Sequence, residues 1–420
     1  MKIILCNKYF FLNGGTEKYL YTIMRQLSFA GHLPIPFSVQ YKGSWESPYS
    51  NWFLPPPGDP DHTRHENIRV TPGNILRFLG RSIYSFEARR YLDRLIAAAD
   101  GADIGYILNI YNYMSPSIIH AFKKRGIPVV MRLGDYNLLC PNYLLLRGGK
   151  PCTLCIRGAY LHGVTHCCVK NSYLVSAVRV TGMMIQKWLG LYKLVDAFIV
   201  PCEFMKSLLA EGGFPEKRIH VIRSPVCSDM IPRQPGKRDY IIYFGRISYE
   251  KGLDTLIRAY QQLSPPVDLI LVGKSYDGEI DRLEQLIDKK HTNRIVFAGF
   301  KAAEDLTRLV SQALLSVVPS RWYDNAPLSV YESFSCGTPV LASRIGGIPE
   351  QIQDGINGRL CDPDSEQDMR NVLEWMLCDR ERLGKMGAAA REYADRTLSM
   401  NRHVEKVLEL FYEIKSARGV

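Results

Sequence analysis

The stretch LLSVVPSRWYDNAPLSVYESFSCGTPVLA, residues 314–342, contains a strand, a loop, a helix and a second strand in direct succession. The apolar runs 314–318 and 339–342 are short and nearly continuous, which is typical of buried parallel strands. Between them, Pro327 suits the first helical position and Gly337 suits a helix stop. This order of elements predicts a parallel α/β sheet whose strands are connected by helices.

The same succession recurs in both halves of the chain. Ile3 to Leu5 is a short apolar run, and after a glycine turn Leu20, Ile23 and Leu27 follow a helical period. Further strand candidates are 104–108, 128–131, 197–200, 220–222, 240–244, 268–272 and 295–298. The pattern predicts two α/β domains with parallel strands.

The polar, proline-bearing stretch 232–238 interrupts this pattern and marks the domain boundary. We expect an N-terminal domain at 1–230, with a cysteine-rich insertion at about 140–168. The C-terminal domain should span 231–398. The last helix, 399–420, has one apolar face and is expected to pack back on the N-terminal domain.

Composition and charge exclude several classes of protein. Of the 420 residues, 46% are hydrophobic and 23% charged, so a disordered tail or a coiled coil is excluded. The net charge of +11 favours anionic partners without choosing among nucleotides, phospholipid headgroups and nucleic acid. We expect a cytoplasmic protein with reduced or metal-bound thiols, because no secretory signal is visible and charges interrupt the apolar stretch 173–202.

Two loops between a strand and a helix could bind an anion. In the first, Gly14 and Gly15 would let backbone N–H groups approach the ligand at a helix N-terminus, although a plain tight turn fits equally. In the second, Arg246 and Lys251 could neutralise a diphosphate at the carboxyl end of a strand. Two solvated surface cations are the alternative interpretation.

A third loop, 319–332, carries two carboxylates. Asn325 suits a helix cap, and Glu332 would lie about 7.5 Å further along the helix axis than Pro327, at about 1.5 Å per residue. The two carboxylates are therefore too far apart to share a proton, and we expect them to contact opposite ends of one elongated ligand. Alternatively, Asp324 is a cap and Glu332 an exposed helix residue.

Together these motifs resemble the signature of glycosyltransferase family 4, in the same order along nearly the whole chain. The resemblance covers Gly-Gly-x-Glu at 14–17, Gly-Arg-x-x-x-x-Lys-Gly at 245–252, and the segments 319–340, 342–350 and 354–360. It implies the GT-B arrangement, in which two Rossmann-like domains face each other across a cleft. It also implies retaining transfer from a nucleotide sugar, with departing phosphate helping to deprotonate the acceptor.

Site residues follow from the resemblance position by position. Arg246 and Lys251 resemble the pair that holds the donor diphosphate, and Glu332 the carboxylate that receives the ribose hydroxyls. Asp324 stands where the family usually has a glutamate that contacts the transferred sugar. The implied donor-binding set also includes Gly14, Gly15, Gly245, Asn325, Ala326, Pro327 and Leu328.

The N-terminal domain departs from the family pattern at one strand end. Gly134 stands where relatives often have histidine, so a role for such a histidine is not transferred. Asp135 remains a candidate acceptor contact, with a strand-end cap as the alternative.

Five of the eleven cysteines lie within 29 residues. Cys152 and Cys155 have the two-residue spacing that lets both thiolates reach one metal ion, and Cys140 and Cys168 could complete a structural zinc site. His162 or His166 could replace a cysteine, while free buried thiols and a redox role are the alternatives. At the donor we expect no divalent metal, because the Asp-Pro-Asp triplets at 59–61 and 362–364 are interpreted as turns.

The segment 173–188 has an apolar stripe at near-helical spacing. Leu174, Val178, Thr181, Ile185 and Trp188 form the stripe. We expect this helix to face the core of the N-terminal domain. The alternative is an interfacial helix beside a lipid-linked acceptor.

The leading hypothesis is a retaining hexosyltransferase of cell-surface polysaccharide synthesis. Its donor would be a nucleotide diphosphate sugar and its acceptor a glycan or lipid-linked saccharide, with peripheral association at the inner face of the membrane as an option. A transferase-like binding scaffold without catalysis is the alternative. A basic nucleic-acid-binding protein is less favoured, because no such motif is present and the cations are dispersed.

Overall fold

The computed structural model describes residues 1–56, 80–111, 113–226, 236–264, 267–275 and 278–418. Residues 232–235 of the predicted linker therefore lie outside the described part. The same holds for the Asp-Pro-Asp triplet at 59–61.

The first half of the chain folds into a six-stranded parallel sheet with helices on its faces. Its elements are β1 (Lys2–Cys6), α1 (Gly15–Phe29), β2 (Leu33–Phe37), α2 (Phe86–Ala98), β3 (Ile104–Ile107), α3 (Ile118–Lys124), β4 (Val129–Arg132), β5 (Leu146–Arg147), β6 (Lys150–Pro151), α4 (His162–Thr165), α5 (Tyr173–Trp188), β7 (Ala197–Val200), α6 (Glu203–Glu211) and β8 (Ile219–Val221). The strand order is β2-β1-β3-β4-β7-β8, and β5 and β6 form a separate antiparallel pair.

The second half forms another six-stranded parallel sheet. Its elements are β9 (Tyr240–Phe244), α7 (Leu253–Tyr260), β10 (Asp268–Val272), α8 (Glu279–Glu284), β11 (Ile295–Gly299), α9 (Ala303–Gln312), β12 (Leu315–Val318), α10 (Leu328–Ser335), β13 (Val340–Ser343), β14 (Gly358–Cys361), α11 (Glu366–Leu377) and α12 (Arg380–Thr397). The strand order β11-β10-β9-β12-β13-β14 is the doubly wound order, which reverses direction between β9 and β12. The predicted two-domain α/β architecture is confirmed.

Four strands were absent from the sequence-based prediction: the short antiparallel pair β5 and β6, and the edge strands β2 and β14 of the two parallel sheets. In β2, Pro34 and Pro36 remove backbone donors, which argues against a strand in a sheet interior. Among the strands that the structure describes, its one neighbour is β1, so the missing N–H groups are tolerated. At the other sheet, β14 begins at Gly358 and lies at the edge, next to β13. Its sequence resembles a loop motif more than an apolar strand.

The last helix, α13 (Met400–Ser416), packs on the first sheet rather than on the second. Val404, Val407 and Phe411 join the apolar cluster of that domain, and the Phe411 ring lies 5.3 Å from the Tyr106 ring. His403 is buried on the same face, and burial lowers the pKa of its imidazole to about 3. The chain therefore passes twice between the domains.

Helix α5 corrects one expectation. Its apolar stripe does not face the core, because Leu174 and Trp188 are 75% and 84% exposed. Its buried face includes Ser176 and Gln186, whose polar groups are satisfied by hydrogen bonds to neighbouring backbone. A periodicity of 3.6 identifies an apolar face but does not tell which side of a helix the rest of the chain covers.

No helix in the described residues combines the length and the apolar character that crossing a bilayer requires.

Candidate active site

A cavity of about 350 Å³ lies between the two sheets. From the first domain, Gly15, Lys18, Arg132 and Gly134 line it. The second domain contributes Asp324, Asn325, Ala326, Pro327, Leu328 and Glu332. Predicted residues from distant parts of the sequence thus share one cleft.

The wall from the second domain is built where its sheet reverses direction. The loops after β9 and β12 lie side by side there, as ligand-binding loops do in doubly wound sheets. Gly252, in the loop after β9, has a φ of +68°. A Cβ at this position would lie 2.0 Å from the Pro319 carbonyl oxygen, so only glycine lets the two loops approach this closely.

An ion pair joins these two loops. Lys251 Nζ donates to Asp324 Oδ2 at 2.6 Å, and the Ser320 hydroxyl donates to the same oxygen at 3.2 Å. The Asp324 side chain is only 6% exposed. Lys251 does not itself line the cavity, but it reaches the cleft wall through Asp324.

Arg246 lies on the same loop in a different environment. Its guanidinium pairs with Glu250, and its side chain is 43% exposed. Neither Arg246 nor Gly245 lines the cavity. An anionic ligand would have to compete with Glu250 for this guanidinium.

Glu332 lies on α10 and faces the first domain. Burial raises the pKa of its carboxyl, and the ammonium of Lys18, 3.6 Å away, opposes the shift. The helix begins at Leu328, one residue later than predicted, with Pro327 at the cap position. Asn325 does not cap α10, because its side-chain amide donates to the Gly134 carbonyl oxygen at 2.7 Å across the cleft.

The wall from the first domain begins at the N-terminus of α1. Gly14 occupies the cap position and Gly15 starts the helix, where a Cβ would lie 3.6 Å from a methyl group of Leu328. Glu17 faces away from solvent, and its carboxylate accepts a hydrogen bond from the Asn7 amide at 3.1 Å. Only Gly15 of the predicted glycine pair lines the cavity.

Two further residues of the cleft had no predicted role. Arg132 ends β4 and lies 4.2 Å above the Tyr19 ring, and it contacts no carboxylate within the described ranges. The buried indole N–H of Trp322 has no hydrogen-bond partner in the same part of the chain. A role for Arg132 could have been predicted, because it lies at the carboxyl end of a parallel strand, where such sheets bind ligands.

Asp135 lies beside the cleft without lining it. Its carboxylate accepts a hydrogen bond from the Asn137 backbone N–H at 3.0 Å, and burial raises its pKa. This geometry suits the strand-end cap, and the acceptor contact stays a prediction. At Gly134, a Cβ would point towards the Arg132 guanidinium, 3.9 Å away.

A second set of contacts holds the domains together. The Glu350 carboxylate accepts hydrogen bonds from the backbone N–H groups of Glu203 and Phe204, at 2.7 and 2.6 Å. Glu350 thus caps α6 from the opposite domain. The rings of Phe204 and Tyr323 lie 5.2 Å apart next to this cap.

The four predicted zinc ligands surround one small cavity of about 10 Å³ in the first domain. Its walls include Cys140, Cys152, Cys155, Cys168, His162 and His166. Burial raises the pKa of the Cys155 thiol to about 12, and the three other thiols add to the shift. In the described residues, however, no three potential ligands are already arranged as a metal shell. The zinc site therefore stays a prediction.

Two parallel doubly wound sheets with a cleft between them define the GT-B class. Anabaena Alr3699/HepE, solved in complex with UDP, superimposes with a TM-score of 0.69 over 98% of this chain and 100% of its own, at 17% identity. Sucrose-phosphate synthase from Thermosynechococcus elongatus superimposes with a TM-score of 0.70 over 99% of both chains, at 19% identity. At these identities the likeness concerns the fold.

Residues 230–393 match the family model described as Glycosyl transferases group 1. A lipopolysaccharide 1,2-N-acetylglucosaminetransferase from Salmonella typhimurium is 28% identical over 205 residues, 44% of this chain and 54% of the relative. A D-inositol 3-phosphate glycosyltransferase from Mycolicibacterium smegmatis is 31% identical over 216 residues, which are 47% of this chain and 49% of the relative. The matches span about half the length of these two relatives.

Proposed function

We propose that this protein is a retaining glycosyltransferase that transfers a hexose from a nucleotide diphosphate sugar to a glycan or lipid-linked saccharide, in cell-surface polysaccharide synthesis. The observation that carries the proposal is the cleft of about 350 Å³, a size typical of small-ligand sites. Its carboxylates, Asp324 and Glu332, would receive sugar hydroxyls. UDP and UDP-glucose bound to Alr3699/HepE support this type of donor.

The donor half of the cleft would act mainly through charge. Lys251 and Arg246 would stabilise the diphosphate as negative charge develops on the leaving group. The backbone of residues 325–328 and the N-terminus of α10 would meet the sugar and phosphate. Gly14 and Gly15 would bring the N-terminus of α1 to the same anion.

The acceptor half has no histidine among the described residues that line the cavity. We therefore assign deprotonation of the acceptor to the departing phosphate. Asp135 is the acceptor-side residue of this proposal. Closure of the cleft would keep water from the anomeric carbon.

Transfer is proposed to need no divalent metal at the donor. Asp364, of the Asp-Pro-Asp triplet at 362–364, lies in a turn and pairs with Arg321 at 2.8 Å, so its carboxylate is already engaged. Activity lost on adding EDTA and restored by magnesium or manganese would refute this. Activity restored only by zinc would point to the cysteine cavity, where we propose a structural zinc.

The proposed location is the cytoplasm, at the inner face of a membrane. The lipid-linked acceptor would be presented there.

The test is a thermal-shift screen of nucleoside diphosphates and their sugars. A ligand at about 100 times its dissociation constant should stabilise the fold by about 2.7 kcal/mol. Glu332→Gln should reduce the shift given by the nucleoside diphosphate, because the carboxylate would accept from the ribose. No shift with any donor would contradict the proposal.

A binding scaffold without catalysis is the second candidate. The observation in its favour is the engagement of Asp324 by Lys251 and Ser320, which leaves that carboxylate less available to a sugar. Slow hydrolysis of the preferred donor in the absence of acceptor would exclude the scaffold. Donor binding without hydrolysis or transfer would favour it.

A further inference from the structure

We propose that α5 and the segment around it dock this protein on an anionic lipid surface. The helix buries Val180 and Met183 on its inner face, as a surface helix does, but it also leaves large apolar side chains exposed on its outer face. Leu174, Met184 and Trp188 on its outer face are 75%, 46% and 84% exposed. On its inner face, the Gln186 amide donates to the backbone carbonyl oxygens of Ser82 and Ile83 at 2.9 and 3.0 Å.

The exposed apolar surface extends beyond the helix. Tyr173 begins α5 and is 67% exposed, and Leu189, directly after it, is 40% exposed. Leu161 is 62% exposed and precedes α4, which packs against α5 through Gly163 and Val180. Clustered exposure of large apolar side chains marks an interaction surface more than isolated exposure does.

Charge identifies the partner. Residues 136–195 contain seven cationic side chains and not one Asp or Glu. The seven are Arg147, Lys150, Arg157, Lys170, Arg179, Lys187 and Lys193. Helices that bind membrane surfaces insert tryptophan and other apolar side chains between the lipid headgroups and acyl chains, and their lysines attract anionic headgroups. An anionic bilayer surface therefore fits this segment better than a protein with mixed charge.

The docking surface is connected to the cleft. The Arg179 guanidinium on α5 donates to Asn137, whose backbone N–H in turn bonds to Asp135. At the β5–β6 turn, a Cβ on Gly149 would come within 2.6 Å of the Tyr249 hydroxyl, in the loop of Lys251. A surface held at α5 would therefore lie beside the proposed acceptor half. This inference rests on the proposed membrane location and not on the chemistry of transfer.

The test is co-sedimentation of the full chain with phosphatidylcholine vesicles, with and without phosphatidylglycerol. Wild-type protein should bind the anionic vesicles in a salt-dependent manner and bind pure phosphatidylcholine weakly. The double variant Leu174→Ser, Trp188→Ser should bind at least about tenfold more weakly, because both side chains would lose their apolar environment. Phe300→Ser is the matched control, since Phe300 is 68% exposed on the other domain, and it should bind like wild type.

A variant that removes one positive charge tests the electrostatic part of lipid binding. Lys187→Gln should weaken binding to the anionic vesicles by roughly fivefold and leave binding to pure phosphatidylcholine unchanged. Equal binding by wild type and both α5 variants would overturn the inference.

Two other outcomes would also overturn it. A lower melting temperature of the double variant, without vesicles, would mean that another part of the chain covers Leu174 and Trp188. A dimer of the wild type that the double variant abolishes would identify the surface as an interface between copies. Donor binding is measured without vesicles, so failure of the proposed transfer function and failure of lipid docking give separate results.

Discussion

Lys251 and Asp324 form an ion pair in the wall of the cleft that we propose binds the donor. Both side chains are mostly buried, and the lysine ammonium also lies 5.2 Å from the centre of the Trp322 ring. A diphosphate entering the cleft would compete with Asp324 for this ammonium. Asp324 therefore positions Lys251 in addition to any contact with the sugar.

We expect Lys251→Ala to lower kcat/KM about a hundredfold or more, because loss of stabilising charge at a leaving group costs about 3 to 4 kcal/mol. Arg246→Ala should have the smaller effect, since Arg246 is more exposed and paired with Glu250. Lys274→Ala, an exposed lysine on the loop after β10, is the control and should be near normal. The double variant Lys251→Ala, Asp324→Asn avoids leaving a buried unpaired carboxylate, and near-normal turnover by it would refute the role of Lys251.

The indole N–H of Trp322, which has no hydrogen-bond partner among the residues that the structure describes, leads to a second prediction. Trp322→Phe keeps an aromatic ring near Lys251 and removes the donor. If the N–H binds a donor oxygen, KM for the donor should rise about tenfold, the cost of one hydrogen bond to a charged group. The melting temperature without ligand should not fall, and an unchanged KM would contradict the assignment.

At the scale of elements, α13 connects the chain terminus to the cleft. The Nδ1–H of His403 donates a hydrogen bond to the Arg223 carbonyl oxygen at 2.9 Å, and Nε2 of the neutral ring accepts one from the Tyr19 hydroxyl at 2.8 Å. Arg132 and Lys406 also act on the imidazole and disfavour its protonation. The helix thus inserts a neutral histidine beneath residues that line the cleft.

This buried imidazole should make stability depend on pH. The pKa of His403 falls from about 6.5 in the unfolded chain to about 3 in the folded one, so the unfolded chain binds more protons between these values. Stability should fall as pH drops below about 6.5, by about 2 kcal/mol at pH 5. Denaturant unfolding of wild type and His403→Gln, measured between pH 7 and pH 5, should show the smaller loss of stability in the variant; an equal loss in both would contradict this role of His403.

The cysteine cavity leads to a prediction about the insertion. Four thiolates would close a structural zinc shell, so protein purified without added metal should contain about one zinc per chain. Cys152→Ser, Cys155→Ser should lose the zinc and melt at a lower temperature. Cys378→Ser, an exposed cysteine elsewhere, should do neither. Zinc-free protein with unchanged melting and activity would contradict the prediction.

At the scale of the whole molecule, two polar contacts across the cleft contribute to the relative position of the domains. Glu350 caps α6 from the opposite domain, and Asn325 bonds to Gly134 across the cleft. Both contacts are local and polar, so they can be removed singly.

We expect Glu350→Gln to loosen the closed arrangement, because a carboxylate at a helix N-terminus is also favoured by the helix dipole. The scattering-derived radius of gyration should increase, and kcat/KM should fall about tenfold if closure positions the reacting groups. Glu203→Gln changes an exposed carboxylate in the first turn of the same helix and is the control. An unchanged radius and rate would show that this cap does not hold the domains.

The sequence by itself determined the succession of strands, loops and helices, and with it the two-domain α/β class. Apolar runs, helical periods, and the positions of Pro327, Gly252 and Gly337 are local features, so they can be read without knowing the rest of the fold. The motif loops could be assigned to strand ends for the same reason. The edge strand β2 was not predicted, because its two prolines are more typical of a loop than of a strand.

Only the tertiary structure decided which residues face each other across the cleft. Lys18 faces Glu332, Asn325 reaches Gly134, and Arg132 enters the cleft from a strand end. These residues are separated by long stretches of chain, and their contacts exist only once the two sheets are docked. Likewise, the helical period of α5 identified an apolar stripe from the sequence alone. Which face of the helix is covered was decided by the packing of the rest of the chain, and this packing leaves much of the stripe exposed.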